Sequence, residues 1–307
     1  MVDNIIEHIR KQAVSDIFQT GSVSANWATW RAEILRHLSN PTTTQSVLNL
    51  GDHLSNIFTT TGQGGRAQNS LSGGGAAWES LILWYVNLCC AGSRVVAIKK
   101  MAHAPQPIKD AITVTYNNFS CSTESDIIII VFPDFPKYTS AANKNTFFNN
   151  NGRYQLSLLN NEVITDFLHF KIGIIQCKTN WNDNAQIPML WDMVYSAGGF
   201  GGRQINVGTN GFSIQDLPTN SFSYSFVTVP SNNLNQYAPN RVAVRRVTGL
   251  TGGNYWERTT RQGVAKSVKE IFNNYNSGFL VGGIRTNITD AIGYLGNRQM
   301  LDYFNLY

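Results

Sequence analysis

Asp126 and the pair Gln176 and Lys178 are the residues whose types and spacing can do chemistry. Asp126 opens the run Asp-Ile-Ile-Ile-Ile-Val-Phe, and Gln176-Cys177-Lys178 closes an apolar run some 50 residues later. Side chains alternate along a strand, so Gln176 and Lys178 would share one face while Cys177 points the other way, into the core. A polar pair emerging together from an apolar strand needs a reason, because unpaired buried polar groups are costly. Phosphodiester hydrolysis supplies one. A hard cation such as Mg2+ takes carboxylate, carbonyl and water oxygens. It polarises a phosphate and lowers the pKa of a bound water. A neighbouring lysine can orient that water and offset developing charge. In this chemistry Asp126 is the carboxylate ligand, the Gln176 side-chain carbonyl and the Cys177 backbone carbonyl are neutral oxygen ligands, and Lys178 positions the nucleophile. The plainer alternatives are that Asp126 caps a strand end and that Gln176 and Lys178 are a strand terminus reaching solvent.

The elements that must position these residues are legible as patterns. Asp126–Phe132 is β-branched and apolar throughout, which predicts a strand buried on both faces. Pro133 and Pro136 close it. Phe167–Lys178 reads as the second central strand. Between Ala76 and Cys90 the sequence predicts a strongly apolar helix stopped by Gly92, followed by a strand over Arg94–Ile98. Residues 1–60 carry helical spacing, with the second helix ending at Asn40-Pro41. Residues 137–161 are polar and Asn-rich and read as a long loop. A helix is expected around Ala185–Tyr195, and strand-like runs at Ser221–Val229, Arg241–Val247 and Phe279–Ile284. The expected fold class is α/β: a mixed central sheet flanked by helices, with a β-rich C-terminal elaboration. The expected organisation is an N-terminal helical region over residues 1–75, a catalytic core over 76–200, and a basic β-rich elaboration over 201–307 continuous with that core.

A helix carrying Glu79 in Ala-Ala-Trp-Glu-Ser, a strand opened by Asp126, and a strand ending in Gln176-Cys177-Lys178 together resemble the PD-(D/E)xK nuclease superfamily, and more narrowly a type II restriction endonuclease. The resemblance covers about residues 76–195. It implies a restriction-endonuclease-like core, Mg2+ as cofactor, double-stranded DNA as substrate, a homodimer that cuts both strands, and a separate cognate DNA methyltransferase. Two departures stand out. Gln176 occupies the position of the usual acid, as in some branches of the superfamily, and removes one negative charge from the metal site. Glu79 is the residue that can compensate, as both catalytic group and metal ligand, since the family often adds a helix glutamate; its alternative is a surface residue on an amphipathic helix. Second, Asp126 follows Ser125 rather than proline, and the literal Pro-Asp pair is Pro133-Asp134. Asp126 is preferred because it directly precedes the buried strand, whereas Asp134 sits in a proline-bracketed turn.

Charge points to the same class of partner. Residues 1–202 balance 14 Lys and Arg against 14 Asp and Glu, whereas residues 203–307 carry 10 against 5. The net charge of +5 therefore comes from the last third, densest between Arg241 and Lys269. A local cationic surface suits a polyanion such as nucleic acid, or is merely a solvated face. Arg203, Arg241, Arg245, Arg246, Arg258 and Arg261 are the candidates for phosphate or guanine contacts. Asn180, Asn182, Asn184 and Gln186, directly after Lys178, could read adenine edges or serve as turn and cap residues.

Other classes lack their signatures. There is no GxxxxGK[ST] phosphate loop, no GxSxG elbow, no HExxH and no CxxC pair, and the five histidines are scattered. No apolar run approaches the roughly 20 residues of a membrane span, and the polar Met1–Asn4 start has no signal-peptide design; a cytoplasmic protein with free thiols is expected. Three functions stay open: a type II restriction endonuclease, a structure-specific repair or recombination nuclease, and a DNA-binding protein that reuses the fold without cutting.

Overall fold

The computed structural model describes residues 3–61, 71–99, 101–116, 119–121, 125–178, 205–228, 268–270, 279–280, 282–295 and 302–306. The chain opens with helices: α1 (Ile5–Phe18), α2 (Gly21–Ser24), α3 (Trp27–His37), α4 (Thr44–Thr59) and α5 (Leu71–Cys89). Their starts are chemically marked. The Asn4 side chain accepts from the Glu7 amide at 2.9 Å, and Thr43 and Ser46 form a reciprocal capping box at the start of α4. Then follow β1 (Val95–Ile98), α6 (Gln106–Ala111), β2 (Val114–Tyr116), β3 (Phe119–Cys121) and β4 (Ile127–Val131). Next come α7 (Pro136–Thr139), α8 (Leu156–Asp166), β5 (Lys171–Lys178), β6 (Ile205–Val207), β7 (Phe222–Thr228) and α9 (Gly283–Leu295).

The main sheet is mixed, in the order β1-β4-β5-β7. β4 is antiparallel to β1 and to β5, and β7 runs parallel to β5. Every residue of β1 and β4 is buried, as the unbroken apolar runs require. Each face of the sheet therefore meets its own core. Ile127, Ile129, Val131, Ile175 and Cys177 pack against α4, α5 and α9, with Trp30, Trp78 and Trp84 among the fully buried side chains. Ile128, Ile130, Ile172 and Ile174 pack on the opposite side, against the start of α1, α6 and α8 and the small sheet β3-β2-β6. The chain is thus mixed α/β, with a four-stranded mixed sheet flanked by helices. No helix among the described residues is long and apolar enough to cross a membrane.

The outer edge of β1 is buried, so its main-chain groups need partners from elsewhere. Asn87 of α5 imitates a strand there: its amide donates to Ala97 O at 2.9 Å and its carbonyl accepts from Ala97 N at 3.0 Å. Arg10 of α1, fully buried, donates to Val95 O at 2.6 Å and to Ser93 O at 2.9 Å. Its charge is met by Glu7, itself 2% exposed, whose other oxygen accepts from the Tyr303 hydroxyl at 2.6 Å. One buried ion pair thus joins the first helix, the edge strand and the C-terminal segment.

Several expectations are corrected. Residues 137–161 are not a loop: they hold α7, a 3-10 turn at Ala141–Phe147 and the first half of α8. Leu159 and Val163 bury at helical spacing, and Tyr138 and Phe147 bury beside them. The second central strand starts at Lys171, after a 3-10 turn at Phe167–His169. Phe279–Ile284 is not a strand, because Gly282 and Gly283 adopt positive φ and turn the chain into α9. The helix expected at Ala185–Tyr195 and the run Arg241–Val247 lie outside the described residues. Phe279 itself leans on the sheet at Gly173, where an added Cβ would lie 2.9 Å from Ser223 Oγ and 3.0 Å from the Phe279 ring.

Replacing Arg10 by Met should leave the Glu7 carboxylate buried without its counter-charge, and should lower unfolding stability by about 3–5 kcal/mol. Urea denaturation measures this. A loss within the ordinary scatter of a surface substitution would mean that the pair does not tie these segments together.

Candidate active site

The antiparallel register of β4 and β5 brings the chemistry-bearing residues together. Ile127 stands opposite Ile175, and pairing stops there. One residue further, Asp126 stands opposite Gln176. Ile172 N donates to Ser221 O on the β7 side, so amides of odd-numbered residues in β5 face β4. Cys177 N–H is the first of these without a β4 carbonyl in the ladder. The Asp126 carboxylate takes it instead, at 2.7 Å. The Cys177 carbonyl extends toward the same side as its amide, and so toward Asp126. Lys178, half-buried, ends the strand one residue later. Asp134 is exposed beyond the far end of β4, eight residues away, or roughly 25 Å along the strand. Asp126, not Asp134, is the acid beside Lys178.

Gln176 is placed differently from the expectation of a solvent-facing pair. It is 0% exposed, on the sheet face that packs against the second core. Its side-chain carbonyl accepts from the Tyr224 hydroxyl of β7 at 2.6 Å. Period two holds along β5, but both faces are covered until Lys178. The strand therefore carries its polar glutamine inside and only its lysine outward.

Glu79, on α5, faces the other side of the same strand end. Its carboxylate meets Lys99 Nζ at 3.0 Å, and each side chain retains 21% exposure. Lys99 Nζ also donates to Ala76 O at 2.8 Å and to Ser80 Oγ at 3.1 Å. The Cys177 thiol reports how closely these groups are gathered. Burial raises its pKa well above the ordinary value, Asp126 and Glu79 raise it further, and Lys99 and Lys178 pull it back. Two carboxylates and two ammonium groups thus act electrostatically on one buried sulfur.

Lys99 and Tyr224 were missed by sequence reasoning. Lys99 did leave a signal: it is the first polar residue after the apolar run Val95–Ile98, as Gln176 is after Ile172–Ile175. Tyr224 left none, since a tyrosine in a strand is ordinarily core. The expected DNA contacts at Asn180, Asn182, Asn184, Gln186, Arg203, Arg241, Arg245, Arg246, Arg258 and Arg261 lie outside the described residues. Lys269, from the same basic region, is described, and it pairs with Asp52 of α4.

A divalent cation finds a suitable donor chemistry here. Asp126, Glu79 and the Cys177 carbonyl are hard oxygen donors at one strand end. The Gln176 side chain does not fit that set, because its oxygen is turned into the core toward Tyr224. Among the described residues no three His, Cys, Asp or Glu side chains form a cluster for a metal, so two carboxylates with main-chain and water oxygens are the set on offer.

Two measurements separate structural from reactive roles. Tyr224→Phe should remove the donor to a buried carbonyl and cost about 1–3 kcal/mol of stability, read by thermal or urea unfolding. Cys177, 5% exposed and held as a neutral thiol, should resist iodoacetamide at about pH 8 until the protein is unfolded, as peptide mapping would show. Rapid native alkylation at Cys177 would contradict this burial.

Compared with known proteins, the chain matches no family model, no curated protein and no solved structure. What the strand end can do follows from its side chains and their geometry.

Proposed function

We propose that this protein is a divalent-metal-dependent DNA endonuclease with a restriction-endonuclease-like core, and that its reacting centre lies at the paired ends of β4 and β5. The observation that carries the reading is the Asp126 carboxylate held at 2.7 Å on the Cys177 amide, which lies between Gln176 and Lys178 in the strand. The order helix glutamate, strand aspartate, strand-terminal lysine is the one through which the chain resembles the PD-(D/E)xK superfamily. A mixed sheet with helices on both faces is compatible with that resemblance.

In this reading Asp126, Glu79 and the Cys177 carbonyl hold Mg2+. When bound, the ion supplies a polarised phosphate and a water of lowered pKa. Lys178 reaches outward from the strand end, where it hydrogen-bonds the attacking water and offsets charge that builds on the phosphate oxygens. The water oxygen forms its bond to phosphorus as one ester P–O bond breaks. The departing oxygen takes up a proton, and the proton lost by water passes to solvent. Gln176 contributes by fixing the strand: locked to Tyr224, it sets the register from which Cys177 and Lys178 project. The basic C-terminal third, surplus in Lys and Arg, supplies the phosphate contacts that hold double-stranded DNA. A homodimer would present two such centres to a two-fold site, and a separate methyltransferase would protect the host's copies.

Incubation of plasmid and phage DNA with Mg2+ or with EDTA tests this directly. The wild type should give discrete Mg2+-dependent fragments, and Lys178→Ala and Asp126→Asn should each lower the cleavage rate by about 10²–10³-fold. Cleavage without discrete fragments would favour a structure-specific repair or recombination nuclease. Salt-sensitive DNA binding with no cleavage of any substrate would replace the reading with a non-cleaving DNA-binding protein.

A further inference from the structure

Lys99 occupies an unusual position. It follows β1 directly, and its ammonium has three hydrogen atoms and three oxygen acceptors: Glu79 Oε2 at 3.0 Å, Ala76 O at 2.8 Å and Ser80 Oγ at 3.1 Å. A carboxylate, a main-chain carbonyl and a hydroxyl are the donors that a hard metal ion takes. Glu79, the carboxylate that compensates for the neutral Gln176, is therefore already holding a cation, and that cation belongs to the protein.

We infer that Lys99 is an internal competitor for the divalent cation: its ammonium holds Glu79 in the metal-free protein and must leave for Glu79 to become a ligand. The inference rests on the reading that Asp126 and Glu79 hold a divalent cation. Its physics is simple. A divalent ion on the Glu79 oxygen would stand within a few ångströms of a charged ammonium, and like charges that close in a partly desolvated site repel strongly. The carboxylate serves one or the other. Lys99 also has somewhere to go. Lys99 lines a cavity of about 50 Å³ together with Asp16, Thr20 and His103, so a second carboxylate borders the same space. Asp16 is paired there with His103 at 2.9 Å. The competition sets the metal affinity: a Glu79 carboxylate already neutralised by the Lys99 ammonium attracts a divalent cation weakly.

The test is Mn2+ binding by titration calorimetry, with no DNA present. Lys99→Met keeps the stem and removes the charge, and should bind Mn2+ about tenfold more tightly than the wild type. In a Glu79→Gln background the same substitution should change nothing, because the contested ligand is gone. Thermal melts establish that each variant is folded, and Lys99→Gln carries the same test if the methionine is not tolerated. Equal or weaker Mn2+ binding by folded Lys99→Met overturns the inference, the weaker case assigning Lys99 to positioning Glu79 instead. If the wild type cleaves DNA while Lys99→Met binds Mn2+ no better, the inference falls and the nuclease reading stands. If Lys99→Met gains affinity while the wild type cuts no DNA, the nuclease reading falls and the competition stands. Absence of Mn2+ binding to every variant removes both.

Discussion

The central pair of strands, β4 and β5, is covered on both faces, and most of the structure follows from that. Strands so deeply buried have no solvated side on which to put polar groups. Main-chain hydrogen bonding can be completed only by neighbouring strands, by side chains brought to the edges, or at the strand ends. The edge of β1 is closed by Asn87 and Arg10. The end of β4 is closed by Asp126, whose carboxylate takes the amide that the terminated ladder leaves over. One hydrogen bond thus ends a sheet and fixes a carboxylate in space. Polar chemistry in this fold has few places to be, and the paired strand ends are one of them.

Two of the charged networks among the described residues contrast in how far they are removed from water. Glu7 and Arg10 are almost wholly removed from water, and apart from each other they bond to Tyr303, Ser93 and Val95. Such an arrangement is rigid, and nothing can enter it without leaving a charge bare. Around Cys177 the charges are partly exposed: Glu79 and Lys99 each keep about a fifth of their surface. Solvent therefore reaches both groups, as it does not reach Glu7 and Arg10.

How much of this was legible in the sequence depended on how many faces a segment buries. Asp126–Phe132, apolar at every position, was readable as a doubly covered strand, and the helix containing Glu79 was readable from its apolar length. Leu156–Asp166 was hidden because α8 buries only Leu159, Val163 and Asp166 while Leu158 and Ile164 remain exposed, so asparagine-rich composition masked a weak stripe. Phe279–Ile284 looked like a strand because its apolar residues outweighed two glycines, yet the positive φ at those glycines decided the conformation. Lys99 and Tyr224 act through partners 20 and 48 residues away, at Glu79 and Gln176. Pairings of that kind are set by register and layer packing, which a local pattern does not carry.

Gln176 shows why a substitution that looks like a loss at the site can be a requirement of the fold. Opposite Asp126 and fully enclosed, a glutamate at this position would bring a second carboxylate into the core, and removing such a charge from water costs several kcal/mol without a full set of partners. The Tyr224 hydroxyl donates to the neutral Gln176 carbonyl at 2.6 Å, a partner that a buried amide needs. The amide therefore keeps the shape and the acceptor while avoiding the buried charge. In the proposed reading the negative charge that it gives up is supplied by Glu79, from a helix on the opposite face and within reach of water. There a lysine can hold it until a stronger cation arrives. On this view the neutral glutamine and the Glu79–Lys99 pair are one adaptation: the strand is buried too deeply to carry the second acid, so the helix carries it.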